Sequence, residues 1–392
     1  MLPRTFCAIL ALAAMFACSA TGQPRIKPAQ PGVWPGLSQP EVLAVRVLGN
    51  YAYLLDGQAG LEIIDVSVPA NPVHVGNYNA GQRLSGFELA GTKAVVSDSE
   101  LSIFDLSNPA SPQLIGRTTN SNVAIYDLQV AGSHAFLTGY YGLQIVDLTS
   151  PTNPVVVGRW EDLPGCCAQA IRVQVVGHMA YVTVDTDPGS SGGILQAVLD
   201  VSDPANPVFL KYLDNIHSFI NEMREVGHYL LTVDYNPFLN IYDNSDPTNI
   251  NLVASFPTRS WTFGLTIVGN YAYVPEEVGA VQVFDVSNPT NVVEVAVFDT
   301  HGRTQSAFVA NDLVYVANWD KGLAIIPLAP HFQFTVEIDA QPGVPFTIES
   351  ATDLRLPHPW SPLLTTNSTR MPFWFTGRDA NAPSKFYRIR LP

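Results

Sequence analysis

Asp185, Asp187 and Ser190 are spaced like the opening ligands of a calcium loop, in which one short turn offers several oxygens to a hard cation. The glycine such a loop needs at its bend and its closing glutamate are missing, with Gln196 in the latter place. The stretch therefore falls short of a calcium (Ca2+) site, and no other cofactor is implied. Asp56, Asp98, Asp234, Glu276, Glu277 and Asp320 recur at similar points of a repeated pattern, with Arg83, Asn122, His217, Arg259, Trp261, His301 and Arg303 between them. Carboxylates mixed with a few bases and aromatic rings suit the binding of a cation, a sugar or a basic peptide. The same set would suit a hydrolase or lyase with His217 or His301 as base and Asp185, Asp234 or Glu276 as partner. No Gly-Xaa-Ser-Xaa-Gly elbow, zinc-protease helix motif or phosphate-binding loop occurs. A triad assembled across elements is recognised by geometry and leaves no such signature. Cys166 and Cys167 are adjacent; in an oxidising compartment they can close a vicinal disulfide or remain two thiols in a loop.

What positions these residues is a repeat. An apolar run closing on Asp, then Ser or Thr, Pro and usually Asn, is written at Asp65, Asp105, Asp147, Asp200, Asp243 and Asp285. A seventh copy carries Pro327 where the others carry Asp. Successive anchors lie 40 to 43 residues apart, except one interval of 53. A period near forty means an array of small units. Each unit reads as four short strands: in the first, Ala44 to Leu48, Tyr51 to Leu55, Leu61 to Val66 and Val73 to Tyr78. Pairs such as Gly49-Asn50, Gly132-Ser133 and Asn311-Asp312 supply tight hairpins between strands one and two. The expected fold is all-β, a seven-bladed β-propeller.

Strand direction sorts the candidates. The lead-ins to each blade and the loops between strands two and three share one face, the top. Asp56, Asp185, Asp187, Asp234, Glu276 and Asp320 belong there, with Arg83, His217, Trp261, His301 and Arg303. His134, His178 and His228 fall in hairpins at the bottom, with the Asp-Ser-Pro turns, whose aspartates read as scaffold. The long interval is in blade four, and its extra residues, from Trp160 and from Asp185, both map to the top. Insertions gathered on one face suggest a contact surface, although strand ends are polar in any case because they are wet, and loops lengthen at small entropic cost.

The chain ends divide from the array. Residues 1–22 read as a secretory signal peptide, with Arg4, the apolar run Phe6 to Ala17 and small residues before Gln23. Cys18 raises the alternative of a lipoprotein anchor, but Met15, Phe16 and Ala17 suit that signal poorly. Residues 23–43, rich in Pro and Gly, are expected to help close the ring, because Pro327 and Pro330 deny the seventh unit its own fourth strand. Residues 44–330 hold the propeller, and residues 331–392 a small β-sandwich-like module. The 392-residue chain has a formal charge of −14 with 20 basic residues, which argues against nucleic acid or an anionic membrane as partner. No transmembrane segment remains once the signal is removed.

The strings LEIIDVS, LSIFDLS, LQIVDLT and VQVFDVS, each followed by its Pro turn, resemble the LVIVD repeat family. That resemblance implies an exported or surface bacterial β-propeller and no general activity. The tail, with IESATDL and a terminal FYRIRLP, resembles β modules on exported proteins of verrucomicrobial-type bacteria, which implies an attachment or interaction accessory more than chemistry. The expected function is a non-enzymatic exported propeller, secreted, periplasmic or on the cell surface, that binds a cell-envelope protein or glycan through its top face.

Overall fold

The structure is a computed structural model that describes residues 32–36, 40–78, 84–97, 100–118, 124–164, 167–188, 193–213, 216 and 219–328, and five strands beyond them. Among the described residues there are strands and turns and no helix, and seven four-stranded antiparallel sheets follow one another as blades. Blade 1 runs Val42–Leu48, Tyr51–Asp56, Gly60–Asp65 and Val73–Tyr78. Blade 2 spans Gly86 to Arg117, blade 3 Ile125 to Trp160, blade 4 Gln169 to Leu213, blade 5 Ile220 to Pro257 and blade 6 Thr266 to Asp299. Blade 7 takes three strands from Thr304–Ala310, Leu313–Asn318 and Gly322–Pro327, and its outer strand is Gly32–Trp34, in register Val33 to Ala324.

The second strand of each blade is apolar at nearly every position because both of its faces are buried. Tyr53 and Leu55 pack toward Phe87, Ala94 and Phe104 of blade 2, while Leu54 turns to Tyr315 and Leu323 of blade 7. The core is thus a series of seams, each drawn from two neighbouring blades. Burial on both faces explains why the repeat reads as runs such as YAYLLD and not as strict alternation.

Glycine opens the first hairpin of blades 1 to 6, with φ between 56° and 64°, as a two-residue loop with one positive φ demands. In blade 7 Asn311 and Asp312 take φ of 51° and 58°, the doubly positive form that Asn and Asp tolerate. In blades 1 to 6 the third strand ends on the repeated Asp, whose Oδ1 accepts the backbone N–H two residues on, at 2.8 to 2.9 Å. The Ser or Thr hydroxyl at that position and these N–H groups together hold five of the carboxyls, Asp65, Asp105, Asp147, Asp200 and Asp243, below the usual carboxylate range.

The outer strand of blades 1 to 6 carries a one-residue bulge, between partners such as Ile63 and Ile64 or Ile145 and Val146. A bulge twists an exposed edge away from regular pairing. Beside it, in blades 1, 2 and 3, sits a glycine with a second role. A Cβ on Gly116 would lie 1.9 Å from the carbonyl oxygen of Pro151, and on Gly158 2.0 Å from that of Pro204, each proline belonging to the turn of the next blade. Gly32 meets Pro69 in the same way at 1.7 Å. The proline turn is therefore also a wedge against the preceding blade.

The chain divides into two units, Ile26–Leu328 with the blades and a second with Ala329–Pro392. In the second, Phe334–Ile338 pairs with Phe373–Gly377, and Phe346–Ala351 lies between Ser361–Thr366 and Phe386–Arg390.

Candidate functional site

Three of the top-face carboxylates are turned inward onto their own loops. Asp56 is buried, its Oδ2 accepting the Glu41 N–H at 3.1 Å and its Oδ1 those of Gln58 and Ala59 at 2.8 and 2.9 Å. Asp234 is buried with Oδ1 accepting the Asn236 N–H at 2.7 Å. Glu276 is fully buried, its Oε1 accepting the Arg259 N–H at 2.6 Å while Oε2 has no hydrogen-bond partner. Burial pushes the Glu276 carboxyl up to about 7, against the pull of the Arg259 N–H and guanidinium. A strand end whose next residues fold back over it leaves two or three amides without a ladder partner, and the carboxylate satisfies them.

The other candidates are at the surface. Asp185 bonds the Asp187 N–H at 3.1 Å, and Asp187 is exposed. His301, at φ 58°, places Nδ1 2.8 Å from Asp299. Arg303 pairs with Glu277, lies 5.5 Å from the Trp319 ring centroid, and donates its backbone N–H to Asp320 Oδ1 at 3.0 Å. Trp261 is 52% exposed. Arg83, Asp98, Asn122, Cys166, Ser190 and His217 lie outside the described residues, and Cys167 is exposed. Among the described residues no three His, Cys, Asp or Glu side chains come close enough to hold a metal ion.

A belt of polar side chains on the innermost strands was not legible as a unit in the sequence. Arg46 of blade 1 makes a two-point pair with Glu88 of blade 2, Nε to Oε2 at 3.0 Å, and lies over Phe308 of blade 7 at 5.9 Å. Gln129 of blade 3 bonds both backbone groups of Val175 in blade 4, and Arg224 of blade 5 donates to Gln174 at 3.1 Å. Thr266 of blade 6 donates to the Ala307 carbonyl at 2.7 Å. These residues share one register, opposite Tyr53, Phe136, Tyr181, Leu231, Tyr273 and Tyr315 of the second strands. One step toward the top, Asp127 accepts the Val173 N–H at 3.0 Å with Arg172 nearby, and burial raises its carboxyl to about 6. With three arginines facing Glu88, Asp127 and Glu222, the belt is balanced in charge, and its bonds run from blade to blade. It joins the inner edge of the ring.

Among the described residues the top also exposes aromatic and apolar groups beside ionisable Asp187, His301, Arg303 and Asp320: Tyr140 and Tyr141 in the blade 3 loop, Tyr235 in the blade 5 loop, Trp261 in the connection to blade 6 and Val278 in the blade 6 loop.

No curated protein matches this chain significantly. Among solved structures it is similar to the WD40 β-propeller domain of Doa1, with TM-score 0.59, 9% identity, and 77% of this chain and 97% of that one covered. Sqt1 of Saccharomyces cerevisiae gives TM-score 0.58 and 10% identity over 77% of this chain and 100% of that one. The computationally designed Ika8 protein gives 0.54 and 11% over 76% and 99%. At these identities the likeness is one of fold. The family model of the LVIVD repeat matches residues 41–80, 94–120, 125–162, 262–300 and 301–327. The matched stretches lie in blades 1, 2, 3, 6 and 7, and this chain is a β-propeller that carries LVIVD repeats.

Proposed function

We propose that the chain is a non-enzymatic binding propeller, exported to the cell surface or beyond, that holds an envelope protein or glycan against its top face. The observation that supports this reading is the sorting of side chains there. The carboxylates best placed for chemistry, Asp56, Asp234 and Glu276, are committed to backbone amides, whereas Tyr141, Tyr235, Trp261 and Val278 stand in solvent. Exposed aromatic rings gathered on one face mark a surface that meets a partner. On the same reading residues 1–22 direct export, and residues 331–392 form a sandwich-like accessory that attaches or presents the ring.

The test is capture from native envelope extracts and medium by the full mature chain, compared with two variants. Tyr141→Ser, Asp187→Lys and Val278→Ser alter the top; Val68→Ser and Thr152→Lys alter exposed turns at the bottom. A ligand retained by the parent and the bottom variant and lost by the top variant is the expected result. Equal capture by all three, with unchanged melting curves, removes the top face from consideration.

A further inference from the structure

We infer that Phe219, Tyr235, Trp261 and Phe263 form a stacking platform for the sugar rings of a neutral glycan, an inference that rests on the top-face reading above and narrows it. Tyr235 is the hub. Its ring meets Phe219 at 5.7 Å and 80°, Phe263 at 6.2 Å and 85°, and Trp261 at 6.4 Å and 89°. Edge-to-face contacts of this kind fix ring orientation through the aromatic quadrupole. Tyr235 remains 45% exposed and Trp261 52%, so the rings are held in place without being covered.

The platform is braced from below. The segment from Thr258 to Phe263 is tied by the Arg259 N–H to Glu276 at 2.6 Å, the Glu277 N–H to the Trp261 carbonyl at 2.9 Å and the Val278 N–H to the Ser260 hydroxyl at 3.2 Å. Buried Thr262 donates to the Asp234 carbonyl at 3.3 Å and its own carbonyl accepts the Asn221 amide at 2.8 Å. Blade 6 gives up ladder for this strap: its inner strand is only Thr266–Val268, three residues, where the other blades have five to eight. A side chain presented at the expense of regular pairing, on a preorganised support, is arranged for binding.

The chemistry selects the occupant. The formal charge of −14 disfavours polyanions. A basic peptide would need open carboxylates beside the rings, but Asp234 and Glu276, the acids of these two loops, are buried, and Glu277 is paired with Arg303. What is offered is flat aromatic faces flanked by the Tyr235 hydroxyl, the Trp261 indole N–H and Ser260, which matches an uncharged ring with C–H faces and a hydroxyl rim.

Affinity electrophoresis of the full mature chain in gels containing β-glucan, xylan or galactomannan, at low and at 1 M salt, tests this, with polylysine as the cationic comparison. Retardation by at least one neutral polysaccharide, unchanged by salt, is expected. Trp261→Ala and Tyr235→Ala should each weaken it about tenfold or more, and Trp261→Phe much less. Tryptophan emission should shift on binding in the parent and not in Trp261→Phe. Failure of all three polysaccharides to bind, equal retardation of parent and both alanine variants, or binding of polylysine alone that salt abolishes would each overturn the inference. These outcomes leave the top-face reading standing if the Tyr141, Asp187 and Val278 variant still loses its captured ligand.

Discussion

Glu276 and the repeated aspartates are acids with opposite consequences. Burial favours the protonated form of Glu276, whose carboxyl is raised to about 7, so its contribution to stability is full below the ordinary carboxylate range and is lost progressively as pH rises from there through about 7. Glu276→Gln keeps an oxygen for the Arg259 N–H and removes the charge. The parent should lose on the order of 2 kcal/mol more than this variant between pH 5 and 8, read from urea midpoints. The turn aspartates are shifted down by hydrogen bonds from Ser and Thr, so what they contribute is present at neutral pH and disappears as pH falls through their lowered range. Thermal melts from pH 5 down to pH 2 should show a second loss, reduced when Asp105, Asp147 and Asp243 are changed together to Asn, which can still accept the same N–H. Their scaffold role is legible in the sequence, because Asp-Ser-Pro is a turn wherever it occurs. The fate of Glu276 is not legible there. A residue at a strand end reads as wet until the next segment is seen to fold its amides over it.

Between elements, the small residue on the outer strand and the proline of the next blade set how closely blades approach. Gly116→Ala or Gly158→Ala would drive a methyl into a proline carbonyl at about contact-forbidden distance and should cost about 1 to 3 kcal/mol in chemical denaturation. Blades 5 and 6 hold Ala254 and Ala296 at the matching register, so alanine itself is compatible with a slightly wider seam. The bulge and this contact escape a sequence reading because the proline already explains its own turn. The inner belt escapes for a related reason. Arg46 between Val45 and Val47, or Gln129 between Leu128 and Val130, reads as the ordinary alternation of a half-buried strand, and only a closed ring makes Arg46 the neighbour of both Glu88 and Phe308. A signal was present in the polar residue that recurs at one register of successive first strands.

At the scale of the molecule the period alone fixes blade number and order, since seven units of four strands account for Val42 to Pro327 with one strand wanting. The strand that completes blade 7 carries none of the repeated phrase, and its pairing with Leu323 to Ile325 is what identifies it. It also grips the next blade: Trp34 stacks on His74 at 6.0 Å and 12°, and His74 Nε2 lies 2.5 Å from buried Glu62. Removal of residues 23–36 should lower the melting temperature by several degrees, broaden the transition and expose Gly322–Pro327 to proteolysis. A synthetic peptide covering residues 26–40 should restore protection. An unchanged melt would mean that the seam between blades 7 and 1 holds without its clasp.

Time is the dimension in which that clasp matters most. Gly32–Trp34 is made early, yet its partner strand follows roughly 290 residues later, an interval on the order of 15 to 60 s at ordinary rates of synthesis. Until then blade 1 has a neighbour on one side only, and the first strand made is the last to be placed. Birth order and assembly order are thus inverted at one point of the circle, and a chain interrupted anywhere before Pro327 ends as an open arc with its latch unfastened.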